Sequence, residues 1–245
     1  MGIRISKRIR RLITSLLVTS TIIASAYLLG WSSLLSVSQV SVSGSSAVNL
    51  VLSELSRNGI EPKIGDQLAR VDVRSIKRTL NQLDWIFDSD VSRNWFDKKL
   101  SIVVQERVAI AKTISTQNLA LNFDSKGFIF TPTSPNQLVA QSALPSVTSQ
   151  SPSNADLTSI AALLEQIPAD LRYLLSDLES ISITKSSFIL MDTRHNSSAL
   201  RINWGGATDI GQKSKVLAAL LKLPENKGIK QVDLSQPDSP IVSKF

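Results

Sequence analysis

Few residues in this 245-residue chain have the types and spacing that chemistry needs. Ser182-Ile183-Thr184-Lys185 has the S-x-x-K spacing of penicillin-binding enzymes, where a serine nucleophile works beside a lysine. That pairing needs a helical turn to bring the two side chains together. Here Ile181 and Ile183 alternate with Ser182 and Thr184 as in a strand, where an odd separation sends Ser182 and Lys185 to opposite faces. No K-T-G or S-D-N accompanies them. Asp88 and Asp90 share a strand face near Asp84, a pattern that paired-carboxylate hydrolysis could use, but three acids beside a turn are more often solvated surface. The single histidine, His195, lies in a polar turn, Thr193–Ser198, and the chain has no cysteine to join it in a metal site. Asn196-Ser197-Ser198 fits the glycosylation sequon, which is short enough to recur by chance. Trp204-Gly205-Gly206 and Gly211 fit neither G-x-G-x-x-G nor the P-loop. These residues support no catalytic centre, metal site or cofactor site, so the expectation is a protein that is not an enzyme.

Charge is concentrated at one end. The net charge is +7, and Arg4, Lys7, Arg8, Arg10 and Arg11 supply five of it, leaving +2 for everything beyond. A general nucleic-acid surface is therefore not expected. From Leu12 to Leu35 the chain is uncharged and apolar enough for a helix across the ~30 Å hydrocarbon layer of a bilayer. Cations before this stretch and none just after it put the N-terminus (1–11) in the cytoplasm and the remainder outside. Trp31 then falls near the outer interface. Ala24-Ser25-Ala26 has the form of a signal cleavage site, but the apolar run continues through Trp31, longer than a signal peptide's ~7–15-residue core. An uncleaved anchor is the reading adopted. Without cysteine, the outer part is held by packing alone.

Beyond the anchor the periodicities alternate between strand and helix. Val37, Val40 and Val42 with Gly44 predict a strand and turn; Val48, Val51, Leu52 and Leu55 predict a helix capped by Ser45 or Ser46 and ended by Asn58-Gly59. Asp72 can cap a second helix with Val73, Ile76, Leu80 and Leu83 on one face. Arg70, Arg74, Lys77 and Arg78 line its other side, as a solvated face or a docking patch for an acidic partner. Trp85–Arg93 and Leu100–Ile110 read as strands, with Glu106 interrupting the apolar row of the second. A bulge or bend near Glu106 is predicted, with its carboxylate in solvent or on an arginine such as Arg107 or Arg93.

A second unit opens with a hairpin over Leu119–Phe130 whose turn is Asp124-Ser125-Lys126-Gly127. Thr131–Asn154 reads mostly as an exposed loop, Ala155–Ile167 as a helix, and a short helical turn follows near Leu171–Leu175. Strands are expected at Leu178–Thr184, Ser187–Asp192 and Ala199–Trp204, a helix at Gly211–Leu223, and a last strand at Ile229–Leu234 before Pro237 and Pro240. The fold class is α+β.

This organisation resembles the FtsQ/DivIB family of bacterial division proteins, whose first outer module is a POTRA domain of β-α-α-β-β order. The residues that carry the resemblance are Val40-Ser41-Val42-Ser43-Gly44, the loop Lys63-Ile64-Gly65-Asp66-Gln67-Leu68 with Val71-Asp72, Arg93-Asn94-Trp95, Leu100 through Glu106-Arg107, and Asn122 to Phe130. Leu144-Pro145, Lys213 to Leu221 and Val232-Asp233-Leu234 are weaker landmarks. The chain departs from the pattern at Phe96 and Ala109, where prolines are usual, and at Gln236, near the place of a partner-binding aromatic.

The resemblance implies a cytoplasmic tail (1–11), a transmembrane helix (12–35), a POTRA-like domain (36–111), a mixed β-sheet domain with flanking helices (112–236) and a C-terminal tail (237–245). It implies an inner-membrane protein of the division septum, with no cofactor, that binds FtsB/DivIC-like and FtsL-like bitopic partners and helps control septal peptidoglycan synthesis. It further implies β-augmentation at the last strand, here Ile229, Gln231, Val232, Asp233 and Leu234, with Gln236 beyond it. The alternatives are a cell-wall serine enzyme using Ser182 and Lys185, and the POTRA module of a protein-export system. The second would need a long barrel, for which about 115 residues after the hairpin are too few.

Overall fold

The structure, a computed structural model, describes residues 7–30, 35–114, 119–148, 153–184 and 186–244. Trp31, Lys185 and parts of the predicted tail and anchor lie outside them. The first helix, α1, runs Lys7–Gly30, with Arg8–Tyr27 long and apolar enough to cross a membrane. It begins within the basic segment, because long cationic side chains can stay helical while their charges reach water. Its threonines return their hydroxyls to the helix: Thr14 donates to Arg10 O at 2.8 Å, Thr19 to Ser15 O at 3.0 Å and Thr21 to Leu17 O at 2.8 Å. A helix facing hydrocarbon has no water to satisfy those groups, so this local bonding suits it to lipid.

The chain divides into two compact units, the first ending at Glu106 and the second starting at Arg107. In the first, β1 (Gln39–Ser43), α2 (Val48–Arg57), α3 (Val73–Leu80), β2 (Ile86–Asn94) and β3 (Lys99–Glu106) form a three-stranded sheet in the order β1-β3-β2 with two helices. β1 runs parallel to β3 (Val40↔Leu100, Val42↔Ile102), and β2 runs antiparallel to it. Leu100, Ile102 and Val104 are buried with Val51 and Leu55 of α2 and Ile76 and Leu80 of α3. Alternation along the strand and helical spacing along the helices put these residues on facing surfaces. Asp72 caps α3 as predicted, its side chain accepting from Arg74 N at 3.1 Å and Ser75 N at 3.0 Å. The Ser75 backbone bond, chiefly, holds the Asp72 carboxyl below its ordinary range.

The predicted strand Leu100–Ile110 stops at Glu106. The bulge lies across from it: between Ile86↔Glu106 and Asp88↔Gln105 the register shifts, so the extra residue is Phe87 on β2. Gly44 ends β1 at φ +82°, and a Cβ there would sit 2.2 Å from Val104 O, so only glycine fits.

The second unit is a nine-stranded mixed sheet. Its strands are β4 (Ala111–Ile114), β5 (Ala120–Phe123), β6 (Ile129–Phe130), β7 (Ser146–Thr148), β8 (Ser180–Ile183), β9 (Ile189–His195), β10 (Ser198–Gly205), β11 (Gln231–Asp233) and β12 (Ile241–Ser243), in the order β12-β11-β10-β9-β8-β7-β4-β5-β6. The helices are α4 (Pro135–Gln141), α5 (Asn154–Gln166), α6 (Tyr173–Ser176) and α7 (Ile210–Lys222). Leu157, Ile160 and Leu163 of α5 and Leu217 of α7 share one core with Ile181, Met191, Ile202, Trp204 and Val232 of the strands.

Several segments differ from expectation, β4 among them, which no predicted strand covers. The exposed loop predicted over Thr131–Asn154 contains α4 and β7, because Ser134-Pro135-Asn136-Gln137 forms a capping box with proline in the first turn. Residues 237–245, read as a tail, contain β12, which pairs antiparallel with β11. The β9–β10 turn is shorter than predicted: only Asn196 and Ser197 leave the ladder, both at positive φ (51° and 65°), as a two-residue hairpin needs.

Candidate docking edge

The residues that could have done chemistry are dispersed by the fold. Ser182 sits within β8, opposite Leu190 on one side and Thr148 on the other. This is a strand position, not a helical turn, and its proposed companion Lys185 lies outside the described residues. Asp88 and Asp90 are exposed and lie 4.0 and 3.8 Å from Lys77 Nζ, while Asp88 also accepts from Asn81 at 3.1 Å. They serve as counter-charges to the α3 cation. His195 belongs to β9, with Nδ1 2.8 Å from Tyr173 OH and Nε2 3.0 Å from Asn196 Nδ2. Burial lowers its pKa, favouring the neutral ring that these two contacts suit. Among the described residues no group of three metal-ligating side chains comes together.

The far end of the large sheet is built as an edge. β10 and β11 run parallel (Ile202↔Val232), and β12 lies on the other side of β11 (Val232↔Val242). β11 is therefore an inner strand, and the sheet's outer edge passes to β12. Of the residues assigned to the edge from sequence, Ile229, Val232 and Leu234 are buried in the core, whereas Gln231 and Gln236 are exposed and Asp233 is half-buried. Ile241 of β12 is 67 % exposed. Lys230 N donates to Ser243 O at 2.9 Å, so the Ser243 backbone faces β11 and, by alternation, the Val242 backbone faces outward. No described strand pairs on that outer side.

The loop from β11 to β12 is anchored at both ends. Asp233 accepts from Ser235 N at 2.8 Å, Ser235 Oγ at 2.6 Å and Asn203 Nδ2 at 2.9 Å. Burial pushes the Asp233 carboxyl up, but these hydrogen bonds outweigh it and hold the carboxyl below its ordinary range. Gln212 of α7 donates to Asp238 at 3.0 Å. Behind the edge, Lys213 is buried, and Nζ donates to Trp204 O and Gly206 O, both at 2.8 Å. Burial lowers its pKa; the two carbonyls compensate the ammonium and fix the end of β10 against α7.

Beside β11, a groove of about 380 Å³ crosses the sheet over Glu179, Asp192, Thr193, Arg201 and Lys230. Arg201 grips Asp192 through two nitrogens at 2.6 and 3.2 Å. Arg201 pulls the Asp192 carboxyl below its ordinary value, and Asp192 raises the guanidinium. The edge and groove offer backbone hydrogen bonds, a flanking isoleucine and paired charges, which is the chemistry of peptide binding.

The basic patch on α3 is real as a surface: Arg74 and Arg78 are exposed, Arg70 is exposed just before the helix, and Lys77 is drawn toward Asp88 and Asp90. Sequence reasoning missed three structural determinants: β12, the buried role of Lys213, and Arg107 paired with Asp124. A β-branched pair, Ile241-Val242, was the only local signal for β12.

No family model matches the chain. It is 29 % identical over 225 residues to a protein of Streptomyces bingchenggensis (strain BCW-1) named Cell division protein FtsQ, a match spanning 89 % of this chain and 79 % of that protein.

Proposed function

We propose that this chain is a member of the FtsQ family of cell-division proteins, to one of which it is similar, and a non-enzymatic, single-pass scaffold of the bacterial divisome. Its N-terminus lies in the cytoplasm, α1 crosses the inner membrane at the septum, and both folded units stand outside. There the POTRA-like unit and the following β domain bind FtsB/DivIC-like and FtsL-like bitopic partners and help control septal peptidoglycan synthesis. The role in division follows from the similarity to FtsQ. The mode of binding rests on one observation: β12 ends the nine-stranded sheet with Val242's backbone turned outward and Ile241 exposed. A partner strand laid there gains main-chain hydrogen bonds, with Gln231, Asp233 and Gln236 near enough in the chain to add side-chain contacts. Arg70, Arg74, Lys77 and Arg78 are the second docking patch, for an acidic partner.

The test is co-purification of the FtsB/DivIC-like partner with full-length variants. Val242→Pro removes an outward donor and Ile241→Lys places a charge on the edge. Loss of the partner from both, with unfolding temperature near that of the parent, supports the site; unaltered recovery from both sinks it. Reversing the α3 patch with Arg74→Glu and Arg78→Glu tests the second surface in the same assay.

A further inference from the structure

We propose that the first unit carries a lipid-docking surface at the end where the chain emerges from α1, formed by Ile64 and the Trp95-Phe96 turn, which enters the outer leaflet of the membrane that α1 crosses. This inference rests on the reading that α1 is a membrane span.

Phe96 is 98 % exposed, Ile64 75 % and Trp95 37 %, values far from those of the valines and leucines that pack this unit. Both turns are braced by hydrogen bonds that hold the backbone presenting these side chains. Asn94 Oδ1 accepts from Phe96 N and Asp97 N at 3.1 Å each, and Asn94 Nδ2 donates to Asp97 at 2.7 Å. Around Ile64, Lys63 N donates to Asp66 at 2.8 Å and Gly65 takes φ +98°. The two turns bracket the same two residues of the emerging chain. Val37 O accepts from Gly65 N at 2.8 Å and Val37 N donates to Asp66 O at 2.7 Å; its neighbour Ser38 donates from N to Lys98 O at 2.8 Å.

What covers this surface follows from chain length. Val37 is seven residues beyond Gly30, the last residue of α1, and seven residues reach at most about 25 Å when fully extended. Ile64 and Phe96 are thus within reach of the headgroup layer, itself about 5–8 Å deep on each side of the hydrocarbon. Exposed aromatic and aliphatic tips flanked by lysines are what an interfacial surface requires: apolar groups at the acyl boundary and ammonium groups among phosphates. Lys63, Lys98 and Lys99 supply the latter, while the two acids of these turns, Asp66 and Asp97, are engaged in bracing them.

The absence of cysteine makes the test clean. Val18→Cys, Ile64→Cys, Phe96→Cys and Gln105→Cys, each in the full chain, are labelled with a nitrobenzoxadiazole fluorophore. They are reconstituted into vesicles of phosphatidylethanolamine and phosphatidylglycerol carrying acyl-chain nitroxides. Gln105 is the exposed control, six residues along β3 from Lys99 and so about 20 Å away. Labels at 64 and 96 should be blue-shifted and quenched about twofold or more relative to 105. If 18 is quenched while 64 and 96 behave like 105, the docking surface is wrong and the span stands. If 18 is not quenched, the span itself fails and the docking surface falls with it. A blue shift at 64 and 96 without nitroxide quenching means that protein covers the turns, which also overturns the proposal.

Discussion

The Glu106 carboxylate accepts from Ser45 Oγ at 2.6 Å and from Ser46 N at 2.8 Å. Glu106 continues the inward row of Leu100, Ile102 and Val104 to the last residue of β3, where that row meets the start of α2. The helix has Ala47 at its N-cap and no side-chain cap of its own. Ser45, predicted as a cap, instead links Glu106 to Ala47 N, which it accepts at 3.0 Å. A negative charge beside the positive end of the helix completes the arrangement. Arg93, expected as a possible partner, donates to Val71 O, and Arg107 turns to Asp124.

Glu106→Ala should destabilise the first unit by about 1–2 kcal/mol, the range of hydrogen bonds to a charged acceptor at a turn that water can reach. Glu106→Gln keeps an acceptor oxygen and should lose less than half of that. Thermal unfolding of the full chain in detergent, followed by near-ultraviolet dichroism, measures both. Equal losses would show that charge, not acceptance, is what matters.

Arg107 and Asp124 form a buried pair, their side chains 12 % and 6 % exposed, with the guanidinium 4.1 Å from the Phe128 ring centre. Asp124 also accepts from Lys126 N at 2.9 Å and Phe128 N at 3.0 Å, so it organises its own hairpin turn. Arg107→Met strands that carboxylate and should cost about 3–5 kcal/mol, with Arg107→Lys recovering only part because it loses the planar stacking. Urea unfolding of the variants decides this; a shift below about 1 kcal/mol would count against the pair's role.

Lys213→Met keeps the volume but leaves Trp204 O and Gly206 O without their shared donor. A loss of about 2–3 kcal/mol is expected, concentrated where β10 meets α7. Hydrogen exchange should show faster opening of residues 204–213 with little change in the first unit. Uniform acceleration through both units would contradict a local role.

The Asp192 carboxyl is held below 3.8 in the folded state, chiefly by Arg201. A depressed folded pKa stabilises above the unfolded value and loses that contribution as pH falls through the folded one. Because Arg201 is 57 % exposed, screening limits the effect to about 0.5–1 kcal/mol. Asp192→Asn should therefore be less stable than the parent at neutral pH and equal to it well below pH 3.8. A gap that persists in acid, measured by urea midpoints, would place the effect elsewhere.

Much of the fold is written locally. Asp72 at the start of α3, Asn58-Gly59 at the end of α2, the apolar alternation of β3 and the Asp124 turn each depend on neighbours a few residues away, so periodicity and capping chemistry suffice to read them. The α4 capping box was equally local, and the polar composition around it obscured it. The apolar helix α1 needed only length and composition to be read, and the resemblance to FtsQ needed the order of the elements together with local motifs such as Arg93-Asn94-Trp95.

Tertiary structure decided what lies between distant segments. Glu106 reads as an interruption until Ser45 and Ser46, 60 residues away, are brought beside it. Nothing in its neighbours marks Lys213 as buried; the carbonyls of Trp204 and Gly206 that enclose it come together only in the fold. β11 reads as a final strand with a free side because three residues, Ile241–Ser243, show too little periodicity to declare themselves a strand. Strand pairing is a contact between segments and has no signature within either one. Sequence alone therefore determined most of the elements and the resemblance to FtsQ, and only the folded chain decided which strand stands at the edge.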